Sequence, residues 1–452
     1  MTLRTIATVA ILAVAAFAQA QSHWPQFRGP AAAGVADDRP LSTKWDVPAG
    51  EGVLWKTEIK GLAHSSPVIW ADRLFVTTAI SKADNQSLRT GLFGAGDSAD
   101  DMTEHDFKVI CLDKKTGKVL WDETVHSGVP KVKRHVKATH VNCTPAVSDR
   151  FVVAFFGSEG LYCLAHDGTL KWRKDLGVLD VGPHNGMELQ WGFASSPIIV
   201  DDKVIVQCDI KANSFLAAFD INDGRELWRT KREDVPGWCT PTAHKLGDTT
   251  QIICNGCTQI AAYDAKDGRN VWQLSGGGGI PVPAPVIGDG LIYFTSNHRP
   301  LRDSDPPQPV FAVKAEAKGT LEHGSEDKPA PQMAWMKTRI GSYMQTPLLY
   351  RGVLYVCKDN GMLVALDAAS GDERWKRRLT QEPTGFTASA VAGDGKLYYT
   401  SEDGLVSVLA ADKDRDALAT NNLGETCLAT PAISDGVIYW RTRGHVLAIG
   451  GK

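Results

Sequence analysis

The residues best suited to chemistry lie in one short segment near the middle of the chain. Asn185, Glu188 and Trp191 bring together an amide, a carboxylate and an indole. Amide and carboxylate oxygens can bind Ca²⁺, but a calcium site takes about six to eight oxygen ligands. Glu188 is the one plausible carboxylate nearby. We therefore predict no metal site and no catalytic residue here, and we expect Glu188 to be a solvated loop side chain.

The cysteines and histidines give weaker signals. Cys254 and Cys257 flank an Asn-Gly turn, but a zinc site would need a second such pair, and the chain has none. A local disulfide between them is possible, and two independent thiols are favoured. The chain has nine cysteines, so at least one has no partner within the chain. His126, His135 and His140 share a basic insert without a metal-binding spacing, and we expect a solvated loop there.

A recurring phrase predicts the elements that must position these residues. Each copy holds an aspartate, a turn that ends in glycine, and a tryptophan on the next strand. The copies are residues 113–117 before Trp121, 167–168 before Trp172, 220–224 before Trp228, 264–268 before Trp272 and 367–371 before Trp375. A period of about 40 to 50 residues is typical of β-propeller blades. Glycine permits the positive φ of the turn, and the indole can lie between neighbouring blades.

A second landmark, a small residue before proline, divides the chain into eight units. It occurs at residues 66–67, 144–145, 196–197, 240–241, 284–285, 346–347 and 430–431, and residues 389–390 occupy the same position with alanine in place of proline. The last unit lacks its fourth strand, and residues 53–59, which include Trp55, can supply it. The sequence therefore predicts an all-β, eight-bladed β-propeller of four-stranded antiparallel blades, closed by an N-terminal strand that completes the last blade. The predicted structural tryptophans are Trp55, Trp121, Trp172, Trp228, Trp272, Trp335 and Trp375.

The remaining sequence sets the domain boundaries and the compartment. Residues 1–20 have a basic start, a short apolar run and an Ala-Gln-Ala cleavage site, as in a signal peptide. Residues 21–50 read as an N-terminal extension and residues 51–452 as a single propeller. Polar inserts are expected at 82–106, 126–142 and 298–333. We expect an exported protein, periplasmic or secreted, with no membrane span and no lipid-anchoring cysteine, and a monomer.

Charge excludes one class of partner. The net charge is -3, and no basic stripe of the kind that binds nucleic acid runs along the chain. We therefore expect a protein or small-molecule partner and no nucleic acid.

The chain resembles the pyrroloquinoline-quinone (PQQ)-type propeller repeat family. The resemblance rests on the repeat and on residues 24–30, 64–68, 386–389, 401–404 and 427–431, and it covers nearly all of the mature chain. The family includes quinoprotein dehydrogenases and an eight-bladed scaffold of the outer-membrane β-barrel assembly machine. The dehydrogenases typically have adjacent disulfide-bonded cysteines, which this chain lacks, as it lacks a C-x-x-C-H haem motif. We expect no cofactor, with PQQ and calcium as the alternative.

Propeller geometry selects the candidate ligand-binding residues. Loops between strands D and A, and between strands B and C, gather on one face around the axial channel. The candidates on this face are His64, Glu188, Trp191, Trp238, Asn297, His298, Arg299, Gln345, Phe386, Arg441 and Arg443. The set suits an anion, a sugar or a peptide. The leading prediction is a non-catalytic binding scaffold of the cell envelope. The alternatives are a PQQ-dependent dehydrogenase that oxidises alcohols or sugars, and an outer-membrane protein assembly factor.

Overall fold

A computed structural model describes residues 23–83, 86–92, 96–184, 186–276, 278–296, 303, 305–411 and 417–450. The predicted signal peptide, Asn185 and the candidate residues Asn297, His298 and Arg299 lie outside this part of the chain. Two short 3₁₀ turns, Pro30–Ala32 and Gly157–Glu159, accompany the strands. Within the described residues, no helix is both long and apolar enough to cross a bilayer.

Eight sheets form the eight predicted blades, and each has strands A to D in antiparallel order. Blades 1 to 4 contain Val68–Trp70, Arg73–Ser81, His105–Asp113 and Val119–Gly128; Ala146–Val147, Phe151–Phe155, Leu161–Ala165 and Leu170–Lys174; Ile198–Val200, Lys203–Cys208, Phe215–Asp220 and Glu226–Lys231; Thr242–Leu246, Thr249–Cys254, Gln259–Asp264 and Asn270–Ser275. Blades 5 to 7 contain Val286–Gly288, Leu291–Thr295, Val310–Lys314 and Met333–Lys337; Leu348–Tyr350, Val353–Cys357, Met362–Asp367 and Glu373–Arg378; Val391–Gly393, Lys396–Thr400, Leu405–Ala410 and Ala417–Asn422. Blade 8 contains Ala432–Ser434, Val437–Arg441, His445–Gly450 and, as its strand D, Val53–Glu58.

The predicted closure is confirmed. Val53–Glu58 pairs antiparallel with His445–Gly450, so the start of the propeller completes its last blade. Burial alternates along Val53–Glu58, and Trp55 is buried while Leu54 is half exposed. The pairing covers what would otherwise be the open edge of strand C in blade 8.

The predicted inserts need two corrections. Residues 298–333 are not one insert, because Val310–Lys314 is strand C of blade 5 and Gly319–Leu321 adds a fifth, parallel strand to blade 4. Val310–Lys314 is difficult to predict as a strand because prolines and charged residues flank this short apolar segment on both sides. His126 belongs to strand D of blade 1, Val119–Gly128, and not to the second insert.

Each glycine-ended turn fits the tryptophan of the preceding blade. The Trp228 indole N–H donates to the carbonyl of Ala265, at 3.2 Å, in the turn of the next blade. Gly268 in that turn has a φ of +74°, and a Cβ there would lie 2.5 Å from the Trp228 ring. Equivalent hydrogen bonds join Trp55 to Lys114, Trp121 to His166, Trp172 to Ile221 and Trp335 to Ala368. The motif therefore connects neighbouring blades as well as shaping a hairpin.

The small-residue landmark forms a second, inner connection. The Ser66 amide donates to Thr144 Oγ1, and the Thr144 amide donates to Ser196 Oγ, both at 2.9 Å. Further bonds of this kind run from Ser196 to Thr240, Ala284 to Thr346, Thr346 to Ser389 and Ser389 to Thr430. These bonds lie where successive strands A contact each other around the axis. Serine or threonine at the landmark thus ties blade 1 to 2, 2 to 3, 3 to 4, 5 to 6, 6 to 7 and 7 to 8, whereas Ala284 of blade 5 offers no hydroxyl to blade 4.

Residues 24–36 run along the inner strands on several sides of the axis. The Trp24 backbone pairs with Ile69 of blade 1, and the Ala36 amide donates to Ala392 of blade 7. Arg28 is fully buried, and its guanidinium donates to the carbonyls of Thr346, Pro347 and Ala390. The segment predicted as an N-terminal extension therefore occupies part of the axial channel.

Candidate functional site

The inserts of blades 1 and 2 pair with each other on the predicted ligand-binding face. We name the described residues 86–92, 96–104 and 131–142 the cap. The Arg89 amide donates to the Val136 carbonyl at 3.0 Å, and the Ala99 amide donates to the Arg134 carbonyl at 2.7 Å. A direct hydrogen bond from Arg134 Nη2 to the Ser87 carbonyl adds a side-chain connection. The described parts of the two inserts are therefore not solvated loops, although both inserts are polar in sequence.

The cap is attached to blades on opposite sides of the ring. Glu402 of blade 7, 1% exposed, accepts the Gly91 amide at 2.8 Å and forms an ion pair with Lys137. On the other side, the His135 amide donates to the Trp191 carbonyl at 3.0 Å. Since Gly91 and Lys137 belong to blades 1 and 2, both inserts extend across the face to reach blade 7. The cap therefore spans this face from blade 7 to the loop that precedes blade 3.

A buried charge cluster holds the cap together. Arg134 Nε donates to Asp101 Oδ2 at 2.6 Å, and His140 Nε2 lies 3.1 Å from Asp101 Oδ1. Burial opposes ionisation of Asp101, but the hydrogen bond from His140 and the charge of Arg134 lower its pKa to about 2. Asp101, His105 and His140 present ligand atoms within 4.8 Å of one another. Arg134 already balances the charge of Asp101, so a divalent cation would leave buried positive charge uncompensated.

Three predicted site residues meet in one cavity between blades 8 and 1. His64, Arg441 and Arg443 line it, together with Leu88 of the cap, and the cavity volume is about 10 Å³. The His64 ring nitrogen Nε2 donates to the Lys137 carbonyl at 2.9 Å. Burial lowers the pKa of His64 to about 4, so its imidazole is neutral at physiological pH.

Two predicted aromatic residues form a separate pair. Trp191 and Trp238 have ring centroids 5.9 Å apart, and the ring of His135 packs against Trp191 with centroids 5.0 Å apart. The indole N–H of Trp191 donates to the Gly96 carbonyl, and that of Trp238 donates to the Gly192 carbonyl. Both residues are buried. The rings are therefore covered by the protein itself.

The remaining predicted residues are scattered. Glu188 is exposed, as expected for a solvated loop residue. Phe386 is 1% exposed and packs in the core of blades 6 and 7. Gln345 is also buried, and neither polar atom of its amide has a hydrogen-bond partner among the described residues. The cysteines, all nine of which lie in the described part of the chain, are free and buried, including Cys254 and Cys257.

Comparison with known proteins identifies the family. A family profile described as outer membrane protein assembly factor BamB matches residues 105–377 and 330–450. The chain belongs to this family. The BamB of Moranella endobia (strain PCIT) is 25% identical over 364 residues, which cover 75% of this chain and 80% of that protein. The repeats that carry the match are of the PQQ type, as the sequence indicated.

Solved structures share the fold at low identity. The crystal structure of BamB from Moraxella catarrhalis aligns with a TM-score of 0.54 and 15% identity, over 82% of this chain and 98% of that one. Quinohemoprotein alcohol dehydrogenase from Comamonas testosteroni aligns with a TM-score of 0.62 and 14% identity, over 95% and 81%. At such identities the structures establish the propeller and leave function to the residues.

The described residues do not fit a quinone with calcium. Trp191, the indole of the segment considered for such a group, is covered by His135 and Trp238. Glu188, the carboxylate of that segment, is exposed to solvent, as expected for a solvated loop side chain. A hard cation needs several oxygen ligands that converge on one point, and the described residues around Trp191 do not bring carboxylates together in that way.

Proposed function

We propose that this protein is a non-catalytic binding scaffold of the cell envelope that takes part in the assembly of outer-membrane proteins. The observation that carries the proposal is the family match, because it spans most of the propeller and bears the name of an assembly factor. The relative from Moranella endobia bears the same name. Residues 1–20 would direct export to the periplasm.

The partly occupied channel supports binding on the face that carries the cap. Residues 24–36 occupy part of the channel, and the cap spans one face, so we expect a macromolecular partner to contact the cap and the neighbouring loops. Large apolar side chains are exposed on the loops of this face: Leu92 is 46% exposed, Val129 54%, Val178 57% and Met187 47%. Exposed apolar groups with a polar rim are typical of protein-binding surfaces.

Affinity capture from a detergent-solubilised outer-membrane fraction tests the proposal. The mature chain should retain a component of the outer-membrane protein assembly machinery, identified by mass spectrometry. Val178→Asp and Met187→Asp should reduce capture at least tenfold without loss of fold, because both side chains are exposed. Leu418→Asp is the matched control, since Leu418 is 43% exposed on the outer strand of blade 7. Recovery of no assembly component by the mature chain would overturn the proposal.

A further inference from the structure

The buried arginines of this propeller differ in whether their guanidinium groups have hydrogen-bond partners. Arg28, Arg134, Arg232 and Arg441 are all at most 1% exposed. Arg28 donates to main-chain carbonyls, and Arg134 and Arg232 form ion pairs with aspartates. All three guanidinium nitrogens of Arg441 lack a hydrogen-bond acceptor among the residues that the structure describes. A buried cation without a partner costs several kcal/mol, so this arginine stands apart from the other three.

The groups around Arg441 do not neutralise it. Burial, together with the nearby charge of Arg443, lowers the pKa of Arg441 to about 10, so it stays cationic at neutral pH. Arg443 donates to the Gly61 carbonyl at 3.0 Å and adds positive charge to the same cavity. His64 is neutral, as described above. The cavity therefore has a net positive charge.

The nearest carboxylate is already engaged. Glu425 Oε2 accepts the Thr442 hydroxyl at 2.7 Å and the Gly444 amide at 2.9 Å. Its other oxygen, Oε1, forms an ion pair with Lys56 at 3.4 Å and lies against Nδ1 of His445. Both oxygens thus face donors other than Arg441, and Glu425 supplies no hydrogen bond to the guanidinium.

We propose that the cavity between blades 8 and 1 binds one small monovalent anion on Arg441, either a halide or formate. The guanidinium fork offers several N–H donors in the geometry that carboxylates accept. The cavity volume of about 10 Å³ leaves room for roughly one water-sized group, which excludes larger anions. The anion would lie where the ring closes, between the last blade and the first. This inference is independent of the proposed assembly function.

Anion-dependent stability tests the proposal on the mature chain. Unfolding by urea is measured at constant ionic strength while sodium chloride or sodium formate replaces sodium gluconate, whose anion is too large for the cavity. Above its dissociation constant, each tenfold increase in a bound anion should raise the ratio of folded to unfolded protein about tenfold. Chloride and formate are titrated separately, so the experiment shows whether the bound anion is a halide or a carboxylate. A wild-type stability that does not change when any of these anions replaces gluconate would overturn the proposal.

Variants separate the site from a general salt effect. Arg441→Met should remove the anion dependence, and in gluconate it should be at least as stable as the wild type, because it removes an uncompensated buried charge. Arg441→Lys should retain the dependence with weaker affinity. Arg150→Met makes the same charge change at an exposed position and should behave like the wild type. An equal anion response in Arg441→Met and the wild type would overturn the proposal. If Arg441→Met does not fold, broadening of the ³⁵Cl resonance by the wild type, reversed by formate, supports the site, and no broadening refutes it.

Discussion

Removing the charge of Glu402 should detach the cap from blade 7. Glu402 accepts the Gly91 amide at 2.8 Å and the Thr387 hydroxyl at 2.7 Å, and it pairs with Lys137. Glutamine at this position has one acceptor oxygen and places an N–H₂ group against these donors. Removing one partner of a buried ion pair costs about 3–5 kcal/mol. Because the Lys137 side chain is 18% exposed, we expect a smaller cost of about 2–3 kcal/mol.

Hydrogen exchange measures this cost where it arises. At about 1.4 kcal/mol per factor of ten, Glu402→Gln should accelerate exchange of the cap amides of Gly91, Ala99 and Val136 by about 30- to 150-fold. Amides in the blade strands should change much less. Asp122→Asn is the control, because Asp122 pairs with Lys108 on the exposed outer strand of blade 1, where an ion pair contributes under about 1 kcal/mol. Unchanged cap exchange in folded Glu402→Gln would refute the role of Glu402 as a tether.

Two further predictions concern blade contacts and pH. Gly268→Ala should lower the free energy of unfolding by about 2–5 kcal/mol, since it combines a positive φ with overpacking against Trp228. The control Gly290→Ala should cost only about 1–2 kcal/mol, because Gly290 has a φ of +76° but nothing within 4 Å of an added Cβ. Equal losses for the two variants in urea unfolding would contradict the indole contact. Burial lowers the pKa values of His64 and His135 from 6.5 to about 4. The unfolded chain therefore binds more protons below pH 6.5, and stability should fall as the pH drops from about 6.5 towards 4. Limited proteolysis of the cap should become faster as the pH falls from about 6.5 towards 4, and the acceleration should be smaller in His135→Gln. The control His184→Gln, which changes an exposed histidine, should behave like the wild type. A rate of cap cleavage that does not depend on pH would contradict the prediction.

The periodic part of the fold could be predicted because its signals are local. Glycine and tryptophan recur within single hairpins, and Trp55 indicated the strand that closes the ring. The function of the landmark could not be predicted, because Ser66 and Thr144 bond between blades that are far apart in sequence. Whether the hydroxyl of a serine or threonine at the landmark reaches the next blade depends on how neighbouring sheets align in the folded ring.

The cap and the occupied channel could not be predicted for the same reason. Gly91 and Glu402 are 311 positions apart, and Arg28 and Ala390 are 362 apart. Asp101 and His105 carried no motif, and only folding brings them to His140. The sequence did select His64, Arg441 and Arg443, which the fold brings together, because propeller topology fixes which loops share a face.

We propose that this propeller binds partners and does no quinone chemistry, and a cofactor titration tests that proposal most directly. PQQ with CaCl₂ is added to the purified mature chain, and quinone absorbance is followed together with dye reduction in the presence of alcohols and sugars. We expect no saturable change in absorbance and no dye reduction. A saturable, calcium-dependent absorbance change accompanied by substrate-dependent dye reduction would contradict the account.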